Sequence, residues 1–132
     1  MKPILDWIDE KSVDYYELND NIFVHGWIPS TFRKNWTKEN WQRSRWYNGM
    51  KMWKNGYCLE DKIIWCGHWC CSYGWSKIRQ KYKEFPQKNR NNWEKSFQPF
   101  IDDGIIALDS CVTYSNFLNC VVYDEEDKSV IL

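Results

Sequence analysis

The sequence is short of histidine, alanine and net charge. Among 132 residues it has two histidines, His25 and His68, and a single alanine, Ala107, while 18 Lys+Arg balance 18 Asp+Glu. The charge balance removes the electrostatic attraction that nucleic acid or an anionic membrane surface needs, so neither is an expected partner. A membrane-spanning helix takes about 20 consecutive apolar residues, and the apolar runs here are only a few residues long. The start, Met1-Lys2-Pro3-Ile4-Leu5-Asp6-Trp7, puts an acid where an export signal has its apolar stretch. The expectation is a cytoplasmic protein. With histidine this scarce, any imidazole chemistry must use His25, His68 or both.

The length suits one domain over residues 1–132, since a single core typically serves roughly 100–150 residues. An apolar content of 43% without net charge argues against intrinsic disorder. Aromatic residues make up 18% of the chain, including ten tryptophans, so the core must be built largely from rings. The six cysteines, Cys58, Cys66, Cys70, Cys71, Cys111 and Cys120, lack the CxxC knuckle pair of a structural zinc site. Without an export signal they read as reduced thiols, with Cys66 and Cys120 buried in apolar runs.

Local patterns predict an α/β chain. Pro3 to Glu10 reads as a short helix with Ile4, Leu5 and Ile8 on one face. Ile22-Phe23-Val24 reads as a buried strand running into His25-Gly26, and Lys62 to Cys66 as a second strand running into Gly67-His68. Between them, residues 35–55 form a Trp-rich, helix-compatible segment with Trp46, Met50 and Trp53 at i, i+4 and i+7. Residues 76–96 turn polar and basic, and read as an exposed loop or insertion. Strands at Gly104–Asp109, Asn119–Tyr123 and Ser129–Leu132 then make the C-terminal part mostly β.

Both histidines thus fall at the C-terminal end of an apolar strand, beside a glycine that lets backbone approach closely or turn. In α/β sheets that end of the strands is where ligands collect. Neutral imidazole is the commonest transition-metal ligand, with Zn, Mn, Fe and Co all possible. A structural role at a strand end is the competing reading for each ring.

The segments Val24-His25-Gly26, Gly67-His68, Ile106-Ala107-Leu108-Asp109-Ser110-Cys111 and Leu118-Asn119-Cys120-Val121-Val122 resemble, in order and spacing, the C-terminal half of calcineurin-like metallophosphoesterases. Phe23-Val24-His25-Gly26-Trp27-Ile28-Pro29 and Arg45-Trp46-Tyr47-Asn48-Gly49-Met50 resemble the bacterial and phage serine/threonine phosphatase branch. The resemblance implies half of a four-layer α/β sandwich and a centre of two divalent ions (Mn, Fe or Zn) that activates water for attack on a phosphate ester. It implies that His25 and His68 ligate one of those ions. Cys70 falls where some branches carry a further histidine ligand, and a thiolate there suits a borderline ion such as Zn.

Arg45 is a candidate for gripping a phosphate oxygen, with a solvated helix-face charge as its alternative. Trp69 and Tyr73 either line the mouth of the site or belong to the core, and Asp109 resembles a structural position more than a ligand. The family's Gly-Asp-x-His, Gly-Asp-x-x-Asp-Arg-Gly and Gly-Asn-His-Asp/Glu motifs are missing from the sequence. The implied partner is therefore an N-terminal half or other chain that completes the centre, with negligible hydrolysis by this chain alone. A second reading is an inactive truncated remnant that serves as a binding module. A third, an aromatic platform using Trp36, Trp41 and Trp93, has only the tryptophan count behind it.

Overall fold

Two tight hairpins set the edges of the sheet. In the computed structural model, which describes residues 2–82 and 90–131, strand β1 (Tyr15–Leu18) returns as β2 (Asn21–Val24) through Asn19-Asp20. Strand β4 (Phe100–Asp102) likewise returns as β5 (Ile105–Ala107) through Asp103-Gly104. Asn19 and Gly104 take positive φ, 53° and 77°, as two-residue hairpin loops require of small or amide residues. Neither β1 nor β4 was expected from the apolar pattern, but Asp103-Gly104 between Phe100-Ile101 and Ile105-Ile106 is a hairpin signal that the sequence does carry.

Between the hairpins lies β3 (Ile63–Cys66), so the sheet has five strands in the order β1-β2-β3-β5-β4. The three inner strands run parallel, with Ile22 opposite Ile64 and Cys66 opposite Ala107. They are the continuous apolar runs, as strands covered on both faces must be. Ile22, Ile64, Ile105 and Ala107 are fully buried. A separate two-stranded pair, β6 (Val122–Tyr123) and β7 (Val130–Ile131), closes the C-terminal part. The chain is a mixed α/β protein, as expected, and its helices carry tryptophan.

The Trp-rich stretch between β2 and β3 is broken into short helices. A 3-10 turn at Arg33–Asn35 leads to α2 (Lys38–Ser44), then α3 (Gly49–Lys54). Thr37 caps α2 by accepting the Asn40 N–H, and Asn48 restarts the helix by accepting the Lys51 N–H at 3.0 Å. Trp46 therefore lies in the joint between helices, outside the helical face it was expected to share with Met50 and Trp53. The break brings backbone onto backbone: Trp27 N–H donates to the Ser44 carbonyl at 3.1 Å, and a Cβ on Gly26 would sit 2.6 Å from that oxygen. Gly26 is needed for this approach.

The core is aromatic, as the composition requires. Trp27 and Phe100 are completely buried, Trp41 and Trp65 nearly so. Their polar edges are satisfied: Trp27 Nε1–H donates to the Tyr57 carbonyl and Trp65 Nε1–H to Asn21 Oδ1, both at 2.7 Å. Trp36 meets Trp41 edge-on under the Arg33 guanidinium, and Trp93 packs on Phe97. Those three rings are packed among their neighbours, which counts against the third reading, an open stacking platform of Trp36, Trp41 and Trp93.

Helix α1 (Lys2–Lys11) forms where the sequence placed it, yet Ile4, Leu5, Trp7 and Ile8 all stay exposed. All six cysteines are free; Cys66 and Cys71 are buried, whereas Cys120 is exposed because its strand begins only at Val122. Of the stretch 76–96, residues 83–89 lie outside the described residues. Before them the chain follows α4 (Cys71–Tyr73) with one π-helical turn, Gly74–Ile78. After them it forms α5 (Arg90–Lys95), followed by buried Ser96 and Phe97.

Candidate functional site

The parallel strands β2, β3 and β5 end side by side, and each end delivers a polar residue: His25, Gly67-His68 and Asp109. The ladder continues past the strands, with Gly67 N–H donating to the His25 carbonyl at 2.8 Å and Leu108 N–H to the Cys66 carbonyl at 2.9 Å. His25 is therefore level with Gly67. In a continued strand the next side chain, that of His68, would point to the opposite face. It does not, because His68 takes a left-handed backbone with φ 63°. That turn brings the two imidazoles together, with ring centroids 4.9 Å apart.

The left-handed conformation is unusual for a residue with a side chain and costs of order 1–2 kcal/mol. Strain at this point sits on the histidine, not on its neighbour. A Cβ on Gly67 would meet the His25 carbonyl at an ordinary 3.6 Å. Gly26 thus permits a close approach to the Ser44 and Arg45 backbone, whereas Gly67 makes none.

Burial, together with electrostatic repulsion from His68 and Arg45, holds the His25 imidazole below its ordinary 6.5, while Asp109 pulls it the other way. At neutral pH His25 is neutral and presents a nitrogen lone pair. Asp109 is anchored among loop amides, accepting Cys71 N–H at its carbonyl (2.8 Å) and Cys111 N–H at Oδ1 (2.7 Å). It thereby ties the end of β5 to the start of α4, consistent with a structural position.

Arg45 stands beside His25 and lines a 640 Å³ recess with it, together with Asp14, Lys38 and Trp46. Its guanidinium is engaged by Asp14 Oδ1 at 2.8 Å. A carboxylate oxygen thus occupies part of the donor fork that a phosphate would take, a partner that sequence spacing could not reveal across 31 residues. Cys70 precedes α4 and lines a second recess with His68 and Trp69. Burial, reinforced by a hydrogen bond with the Cys111 thiol, pushes the Cys70 thiol up to about 12. It is protonated at neutral pH, so an ion must displace that proton before Cys70 can ligate.

Two imidazoles lie with ring centroids 4.9 Å apart, and neutral imidazole is the side chain that most often ligates a transition metal. Among the described residues no group of three or more His, Cys, Asp or Glu is arranged to hold a metal ion. No described helix is long and apolar enough to cross a membrane. No protein-family model, no curated protein and no solved structure matches the chain.

Two exposed rings frame the histidines. Trp46 lies 5.2 Å from His68 and 6.3 Å from His25, centroid to centroid, and Trp69 lies 6.5 Å from His68. Trp69 and Tyr73, expected at the mouth or in the core, do line recesses beside His68. Trp46 was missed as a site residue because helical periodicity assigned it to a packed face.

Proposed function

We propose that this chain supplies the C-terminal part of a metal-dependent phosphoesterase of calcineurin-like type. His25 and His68 hold one edge of a centre of divalent ions, Mn, Fe or Zn. The observation that supports the reading is the meeting of the only two imidazoles, at adjacent ends of parallel strands, achieved through a strained backbone at His68. When bound, such ions polarise a phosphate ester and lower the pKa of an attacking water. His25, kept neutral by burial, binds without first losing a proton. Arg45 grips a phosphate oxygen once Asp14 lets go, and Cys70 is a weaker additional donor. The bridging aspartate and the remaining ligands come from outside these 132 residues, from an N-terminal half or a separate chain. The substrate is a phosphoprotein or nucleotide-type phosphate ester.

The test is hydrolysis of p-nitrophenyl phosphate with Mn²⁺. The chain alone gives no turnover, whereas the chain co-produced with a segment carrying the bridging aspartate does, and His68→Ala abolishes it. Metal-dependent turnover by the isolated chain overturns the division of labour. Absence of turnover in the co-produced pair overturns the activity.

A second reading, an inactive interaction module, is favoured by α1, whose Ile4, Leu5, Trp7 and Ile8 are all exposed. Light scattering tests both readings: a monomer that stays monomeric in the presence of the co-produced segment counts against each of them.

A further inference from the structure

Trp93 is half-buried against Phe97 and Trp7 is exposed on α1. Trp27, Trp41 and Trp65 are buried, and Trp36, Trp53 and Trp75 bond their indole N–H to a backbone carbonyl. Trp46 and Trp69 do neither: they are 62% and 41% exposed, and among the described residues neither indole N–H meets a protein acceptor. Yet they are not scattered surface rings. Both line one 360 Å³ recess, together with Met52, Tyr73 and Lys51. That volume lies in the range of small-molecule sites. Tyr73 meets Trp69 edge-on at 5.9 Å, which fixes the Trp69 face, and Trp46 is held edge-on to His68 at 5.2 Å.

Neither histidine lines this recess, but both of its indoles neighbour the His68 ring. Trp46 also lines the recess that holds His25, Arg45 and Lys38, with Asp9 and Asp14 as its acids. A ligand spanning the two would place a planar ring against the indoles and an anionic group beside the imidazoles, Arg45 and Lys38.

We propose that the recess between Trp46 and Trp69 is a binding slot for a planar aromatic ring that carries a phosphate. This is the ring of a nucleotide base or of an aryl phosphate such as phosphotyrosine, set with its phosphate toward His25 and His68. The assignment rests on the phosphoesterase reading for the placement of the phosphate; the slot itself rests on the two exposed indoles. Stacking is tolerant of which ring is used and is worth a several-fold affinity change per ring. Lys51 adds a cation to the lining.

The test uses the indole N–H signals of the ¹⁵N-labelled chain, with Trp46 and Trp69 assigned from Trp46→Phe and Trp69→Phe. Adenosine, AMP, O-phosphotyrosine and O-phosphoserine are titrated separately. AMP or O-phosphotyrosine shifts the Trp46 and Trp69 signals saturably, and O-phosphoserine leaves them in place. Shifts with AMP alone identify the ring as a base; shifts with O-phosphotyrosine alone identify it as a phenyl ring. Trp46→Ala and Trp69→Ala each weaken binding at least about fivefold, and both sites are exposed enough for the truncations to fold. No shift with either ring-bearing phosphate, or equal shifts with O-phosphoserine, overturns the slot. Adenosine binding that survives in His25→Ala, alongside loss of metal binding, upholds the slot independently. Conversely, adenosine binding by a chain that never binds Mn²⁺ overturns the phosphoesterase reading and leaves the slot standing.

Discussion

Replacing His68 by glycine and, in parallel, by alanine isolates the backbone strain that brings the two imidazoles together. Both substitutions remove the same ring, with the same loss of contact to His25 and Trp46. They differ in the backbone at φ 63°. Alanine keeps the left-handed cost of roughly 1–2 kcal/mol, and glycine escapes it. Glycine in turn gives up about 0.5–1 kcal/mol through its greater freedom in the unfolded chain. The balance leaves His68→Gly more stable than His68→Ala by about 0.5–1 kcal/mol. In urea unfolding followed by tryptophan fluorescence this difference moves the midpoint by about 0.2–1 M, given slopes of about 1–3 kcal/mol/M. Both variants lose metal binding. A His68→Ala variant as stable as His68→Gly, or more so, refutes the claim that the site is held in a strained conformation.

Three further outcomes follow from particular contacts. A Cβ on Gly49 would lie 2.7 Å from both Cys66 Sγ and the Trp27 ring, so Gly49→Ala overpacks the core and lowers unfolding stability by about 1–3 kcal/mol; an unchanged urea midpoint refutes that packing. Because the His25 pKa is lowered from 6.5, the unfolded chain binds more protons just below that value. Stability therefore falls as pH drops from 6.5 toward the folded pKa, and His25 has no effect above 6.5. Chemical denaturation across that range shows a slope that His25→Gln flattens; the same slope in both proteins contradicts it. Asp14→Asn frees Arg45 from its 2.8 Å partner and tightens inorganic phosphate binding by less than about fivefold, the most an exposed pair allows. Identical phosphate binding in Asp14→Asn and Arg45→Ala shows that Arg45 takes no part.

The inner strands were legible because Ile22-Phe23-Val24, Ile63–Cys66 and Ile105–Ala107 are uninterrupted apolar runs, and a parallel strand buried on both faces can hardly look otherwise. The edge strands were not, since Tyr15–Leu18 and Phe100–Asp102 mix polar and aromatic residues and are made strands by their turns. The helical segment misled for a related reason. The i, i+4, i+7 spacing of Trp46, Met50 and Trp53 is helical, but the Asn48 cap outweighs it and throws Trp46 out to the surface beside the histidines. Strand ends pointed to His25 and His68; their contact depends on a left-handed backbone at His68 that no residue pattern announces. The Asp14 hold on Arg45 and the Cys111 thiol beside Cys70 are likewise products of the folded chain alone.

The central claim is that the two imidazoles form one metal-binding edge, and Mn²⁺ and Zn²⁺ titration of the purified chain by calorimetry tests it most directly. The account predicts weak binding of one ion per chain, lost in His25→Ala and lost again in His68→Ala, with Cys70→Ser changing it little. Absence of binding by the unsubstituted chain, or binding undiminished when both histidines are replaced, contradicts it.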